Sequence, residues 1–419
     1  MFRRFNYLNL DLRLLAPNIF GLVFHLTFFI IAGLEKSGEH AYIIAMTSLI
    51  APILSFRSDV KLLMENIEDA KLTYIYGLVT IAFVALVLVG LGSLSGSQTF
   101  VFYVLISSQL ALNELVSART LGLGKIWYFI LQKVLCYPIF IAMYVQIGNF
   151  ALIEMWLASL ILANIIAILI LVSADKKSVK LNMNIFPKWL NFIKIALLPT
   201  ITTGVGLAVS NLVIILIYNL YGDREVGVWA NVYRILASPA FYLISISQYT
   251  VLAKVARSDN IDSAVLYVTR YWLRLVAFFC LSYCLCLILA TSLDRMFELN
   301  WESFYPVAFG VVCYGLLRSQ SQYLETTFHY LGRSNFLIAL LVLEVVAVTI
   351  TSALSCCIPS QFYLWVGCFS LLFLVAGSTV LVFICFQISS VALTVREGYS
   401  QSNPDLFFFC SRLLRGVRP

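Results

Sequence analysis

Asn231, Arg234, Ser238, Tyr242, Ser245 and Tyr249 recur at intervals of three or four, with Ile235, Leu236 and Phe241 between them. That spacing puts the polar set on one face of a helix and the apolar set on the others. Pro239 interrupts the stripe, which points to a wet cleft. A second segment repeats the pattern with Tyr314, Arg318, Ser321, Gln322, Glu325 and His329. A guanidinium in such a stripe binds phosphate or carboxylate through paired donors. Arg234 and Arg318, with Asn231, Tyr314, Gln322 and Asn18, are therefore the candidate contacts for an anionic ligand.

The candidates for ion coupling are Glu114, Glu325, Glu344 and His25. Asn18, Gly21 and His25 share one helical face beside Pro17, and Gln109, Asn113 and Glu114 lie together further on. His25 has two readings, a proton-coupling group or a packed histidine with a backbone partner. Arg318 and Glu344 also have two. At 1.5 Å per residue they lie about 21 Å and 18 Å from a turn near Gly332, so antiparallel neighbours would bring them to similar depth as a structural ion pair. Glu154 and Lys133 fall near expected segment ends, where interfacial placement accounts for them. Neither GxxxxGK[ST] nor HExxH occurs, so ATP-driven and zinc-protease chemistry lack their usual signatures. Seven of the ten cysteines, Cys136, Cys280, Cys284, Cys286, Cys313, Cys368 and Cys385, lie in apolar runs without a CxxC, and read as small apolar packers rather than a metal or disulfide set. No cofactor and no metal is expected.

The elements that must position these residues are membrane spans. Of 419 residues, 61% are hydrophobic and 12% charged, half the charged share of a soluble domain. The mean hydropathy is +0.92. Apolar stretches give twelve spans, near 14–34, 41–56, 72–93, 99–118, 126–147, 150–173, 193–220, 226–253, 272–293, 303–330, 335–357 and 361–386. Twelve spans of about 20 residues leave no room for a large extramembrane domain. The first run is too long for a signal-peptide core and lacks a cleavage site, so it reads as span one. With both termini cytoplasmic, 22 of the 28 basic residues fall on the cytoplasmic side and only Lys36, Arg224 and Arg295 outside. The net charge of +7 is spread over short segments, which speaks for topology and against nucleic acid.

The expected organisation is all-α: a six-helix N-terminal lobe (1–173), a basic cytoplasmic linker (174–192), a six-helix C-terminal lobe (193–386) and a basic cytoplasmic tail (387–419). The halves echo each other. Ser108-Gln109, Glu114 and Gly124-Lys125 correspond to Ser319-Gln320, Glu325 and Gly332-Arg333, and Pro17 and Pro52 to Pro199 and Pro239. Six spans per half make this a parallel repeat about the membrane normal. In the tail, Leu406-Phe407-Phe408-Phe409 with Arg412, Arg415 and Arg418 reads as an interfacial helix in contact with membrane lipids.

Between spans two and three stands Phe56-Arg57-Ser58-Asp59 followed by Ile67-Glu68-Asp69-Ala70. It resembles the "LRYE…I……EA" segment of bacterial polysaccharide flippases of the Wzx type, in the superfamily of MATE exporters and lipid II flippases. Ser58-Asp59 departs from the usual aromatic-Glu pair. Gly222-Asp223-Arg224-Glu225-Val226-Gly227-Val228-Trp229-Ala230 is also similar to that family's seventh-to-eighth span region. The resemblance implies translocation of an undecaprenyl-diphosphate-linked oligosaccharide to the outer leaflet of the bacterial inner membrane, for O-antigen, capsule or exopolysaccharide. It also implies two lobes alternating a central cationic cleft, coupling to a proton or sodium counter-ion, and a polysaccharide polymerase complex as partner. It transfers no individual contact residue. A drug antiporter of the same fold is the nearest alternative, and would favour acidic over basic cleft residues. A membrane polymerase or glycosyltransferase is a more distant one, because the outer connections are too short to carry catalytic groups, so no enzyme is expected.

Overall fold

The computed structural model describes residues 16–56, 67–123, 125–147, 151–174, 185–237, 305–318 and 362–372, with the isolated positions 58, 62, 276, 277, 280, 342, 344–346, 348–351, 353, 354 and 375. All regular structure among them is helical. The long helices are α1 (Ala16–Ser55), α2 (Ile67–Leu94), α3 (Gln98–Gly122), α4 (Ile126–Ile147), α5 (Leu152–Ala174), α6 (Ile185–Tyr221) and α7 (Asp223–Leu236). Two shorter apolar helices follow, α8 (Tyr305–Arg318) and α9 (Phe362–Leu372). Five helices among the described residues, α1 to α5, are long and apolar enough to cross a membrane.

α1 is a hairpin. Its helical run is broken at Gly33, with φ 80° and ψ 179°, a conformation open to glycine and closed to side chains. In a straight helix His25 and His40 would stand about 22 Å apart, yet their ring centroids are 5.7 Å apart. The chain therefore reverses at Gly33, and spans one and two join without the loop expected over 35–40. Glu35, Lys36 and Glu39 read as a loop by charge alone. They instead occupy the first turns of the returning helix, where Lys36 Nζ pairs with Glu39 Oε2 at 2.7 Å. The join of α6 to α7 is built the same way, on Gly222 at φ 87° and ψ −175°.

α6 begins at Ile185, ahead of the expected 193, and so takes up part of the basic connection. Pro187 falls in its first turn, where a missing N–H breaks no helical bond. This early start is tied to α2: Trp189 Nε1 donates to Thr80 Oγ1 at 2.9 Å, and Phe192 lies against Tyr76.

Inside a bilayer apolar burial does not by itself hold helices together, so polar bonds and close backbone approach do more of the work. The N-terminal half shows this. Asn164 on α5 donates to Gln109 Oε1 at 3.1 Å and Gln109 O at 2.8 Å. Asn113 on α3 donates to Asn164 Oδ1 at 3.1 Å, and Gln132 on α4 donates to Asn113 O at 3.0 Å. This ladder binds α3, α4 and α5 and uses the polar face read from Gln109 and Asn113. Between the halves, α1 packs on α6 and α7. There Phe29 and Ala41 join a cluster with Ile217, Val226, Trp229, Tyr314 and Phe362.

Candidate functional site

The polar residues gather where α1 meets α7. Asn231 is fully buried; its Nδ2 donates to Ser37 Oγ at 3.1 Å and to Gly227 O at 2.8 Å. Its Oδ1 accepts from Arg234 Nη1 at 3.4 Å, one turn along α7. Arg234 is half-buried. Asn231 thus holds the guanidinium to one side and ties it across the two halves through Ser37.

On the α1 side of this seam are two histidines, His25 and His40, one on each arm of the hairpin, with ring centroids 5.7 Å apart. His40 is fully buried. Neither of its ring nitrogens, nor Nδ1 of His25, has a hydrogen-bond partner among the described residues. Aromatic rings surround the pair. Phe140 stacks on His40 at 5.0 Å, Trp156 meets it edge-on at 4.9 Å, and Phe24, Phe28 and Tyr137 complete the wall. These rings belong to α1, α4 and α5 and form the core of the N-terminal half. His25 therefore has the packed environment of one of its two readings, without the backbone partner that reading expects at Nδ1.

The second site lies in the C-terminal half. Arg318, at the end of α8, is buried and its Nη1 pairs with Oε2 of buried Glu344 at 2.6 Å. Tyr314, one turn earlier, is buried against Trp229 and Tyr233. A void of about 10 Å³, lined by Tyr314, Glu344, Thr351, Phe362 and Ser370 among others, adjoins the pair. That is room for one water at most and not for a ligand.

The other expected residues are dispersed. Glu114 on α3 forms an ion pair with Lys133 on α4, so Lys133 is engaged by a carboxylate and not only by the interface. Asn18 is half-buried near the start of α1. Gln322 and Glu325 lie outside the described residues, as do Ser238, Pro239, Tyr242, Ser245, Tyr249, Ser321, His329, Arg57 and the tail. The structure thus brings Asn231 and Arg234 together, sets His25 beside His40, and separately gathers Arg318, Glu344 and Tyr314. His40 was not among the expected residues. Its signal was available: two of the chain's three histidines flank a glycine at which the chain folds back.

The fold is similar to that of solved transporters. It matches the MATE multidrug transporter DinF-BH at a TM-score of 0.64 and 13% identity, over 90% of this chain and 92% of that one. A MOP superfamily transporter from Pyrococcus furiosus, described as having a binding pocket of reverse polarity that suggests a different function, matches at 0.55 and 13%, over 90% and 92%. The MATE transporter ClbM in complex with Rb+ matches at 0.55 and 13%, over 91% and 94%. No protein-family model and no curated protein matches the sequence. At these identities the likeness shows the fold: an all-α membrane architecture of the twelve-span MATE type.

Proposed function

We propose that this chain moves a lipid-linked oligosaccharide bearing a diphosphate across the bacterial inner membrane, by alternating access between two lobes. The observation that carries the reading is Arg234, a half-buried guanidinium held by Asn231 at the seam between the halves of a MATE-type fold. A cation there suits a diphosphate, and its paired donors match phosphate oxygens. Arg318 is neutralised by Glu344 and is the weaker contact in this arrangement. The polyprenyl tail stays in the bilayer while the head group passes between the lobes. With both termini cytoplasmic, the Gly33 and Gly222 hairpins face outward. His25 and His40 supply the coupling: a proton on either ring would face the charge of Arg234, so loading the ring and loading the anion influence each other.

A second reading, an ion-coupled small-molecule antiporter, draws on the aromatic wall around His25 and His40, which suits an organic cation. The two are separated by measuring the amount and sidedness of undecaprenyl-diphosphate-linked oligosaccharide in inner membranes with and without the protein, together with surface polysaccharide. Glycolipid trapped on the cytoplasmic side upon loss of the protein supports flipping. Normal arrival at the outer leaflet sinks it and turns attention to small-molecule export.

A further inference from the structure

The two hairpins carry the same device. Gly33 and Gly222 share one backbone conformation. Five residues after each stands a second glycine, Gly38 and Gly227. These two are pressed against each other's hairpin. A Cβ on Gly38 would lie 1.8 Å from the carbonyl oxygen of Asp223, and a Cβ on Gly227 would lie 2.1 Å from that of Leu34. Asp223 and Leu34 are the residues that follow Gly222 and Gly33. The contact is therefore reciprocal: each glycine meets the equivalent carbonyl of the other half, as in an isologous interface between two copies.

Its chemistry is that of a contact made to be broken. Neither glycine can take a side chain while the hairpins touch, because the atoms met are backbone and cannot swing aside. Close backbone approach brings dispersion and Cα–H···O contacts, individually weak and lost together once the surfaces part by about an ångström. Few directional bonds among the described residues reinforce it. Asn231 bonds to Ser37, Tyr42 stacks on Tyr218 at 3.9 Å, and deeper in the seam Asn211 donates to Ser48 Oγ at 2.8 Å. Behind the seam the N-terminal half has a core of its own, and the seam itself is backed by apolar side chains, Phe29 and Ala41 of α1 against Ile217, Val226 and Trp229.

We propose that Gly38 and Gly227 form a clasp that shuts this end of the cleft, and that its release is what opens the molecule there. The proposal rests on the alternating-access reading but not on any particular substrate.

The test is a distance across the clasp. Nitroxides attached through p-acetylphenylalanine at the exposed positions Lys36 and Arg224 leave the native cysteines untouched, and pulsed electron resonance on the full chain in lipid nanodiscs reads their separation. The parent chain is expected to show a predominantly short distance. Gly227→Ala is expected to shift most of the population to a longer one, whereas Gly90→Ala, whose methyl would meet nothing within 4 Å, leaves it unchanged. A parental distribution in Gly227→Ala overturns the clasp. If Gly227→Ala does not accumulate as folded protein, Ser37→Ala decides in its place: it removes the hydroxyl that receives the Asn231 amide without adding bulk, and is expected to raise the long-distance fraction several-fold. No change in it then overturns the proposal. Because no substrate is present, the clasp fails or survives independently of the glycolipid assay.

Discussion

The Nη1 of Arg318 lies 2.6 Å from Oε2 of Glu344, with both side chains more than nine-tenths buried. Two charges withdrawn from water and set in a membrane-embedded half are stabilised by answering each other. Removing one takes from the other its buried counter-charge. Arg318→Ala is expected to lower stability by about 3–5 kcal/mol, read by unfolding in mixed micelles. Arg318→Met combined with Glu344→Leu is expected to regain most of that loss, because a well-packed apolar pair replaces both charges. Translocation is expected to persist in the double variant; its loss at normal stability would move the pair from packing into transport.

Arg234 sits differently. It is half-buried at the seam, and Asn231 accepts a hydrogen bond of 3.4 Å from its Nη1. Arg234→Ala is expected to slow glycolipid translocation by about tenfold to a hundredfold, the worth of one or two bonds to a charged group. Protein levels should be unchanged. Arg234→Lys keeps the charge but loses the paired donors, so an intermediate rate is expected. Wild-type rates in both variants would end the anionic-ligand role.

His40 holds two ring nitrogens without a hydrogen-bond partner among the described residues, inside a wall of aromatic rings. A buried polar group left unsatisfied costs about 1–3 kcal/mol, and a phenylalanine would fill the same space without it. His40→Phe is therefore expected to raise the melting temperature. If His40 and His25 couple transport to protons, the same variant loses its response to an imposed pH gradient in proteoliposomes. A stabilised variant that still responds would leave the imidazole as packing alone.

Much of the architecture is legible in the sequence because span length, charge asymmetry and apolar runs are local properties. The depth arithmetic also puts Arg318 opposite Glu344, and the two side chains pair at 2.6 Å. What local reading loses is what neighbours decide. Glu35, Lys36 and Glu39 look like a loop because charge is read there as solvent, whereas the chain turns at Gly33 and the charges stand in the first turns of the helix beyond it, Lys36 paired with Glu39. Gln109, Asn113 and Glu114 lie together in the sequence without showing what they meet; in the fold Asn164 on α5 takes up Gln109 and Asn113 and so binds helices together. His40 is passed over because a stripe count follows one helix at a time, and its partner His25 stands on the other arm of the hairpin. Nothing local marks Gly38 and Gly227 as touching; that needs both halves folded.

The hairpin contact also carries a charge that makes it sensitive to pH. Asp223 lends its backbone carbonyl to Gly38, while its own Oδ1 is buried without a hydrogen-bond partner among the described residues. Burial pushes its carboxyl above the ordinary aspartate range, Glu39 and Glu35 push the same way, and Lys36 opposes them. The folded chain thus holds this proton more tightly than the unfolded one. Its favourable contribution is complete below the ordinary aspartate value and is lost as pH rises through the raised one, the reverse of a salt-bridged carboxylate. Asp223→Asn keeps the shape and removes the charge. Its melting temperature should equal the parent's at acid pH, exceed it increasingly as pH rises from the ordinary aspartate value through the raised one, and keep a constant lead above that, measured over pH 4 to 8 in one detergent. The Lys36 to Glu39 pair does not mask this, because Lys36 is about half exposed and screened. A difference that stays constant with pH would mean that Asp223 ionises there as freely as in the unfolded chain. A difference that grows would show that the folded chain holds the Asp223 proton more tightly than the unfolded one.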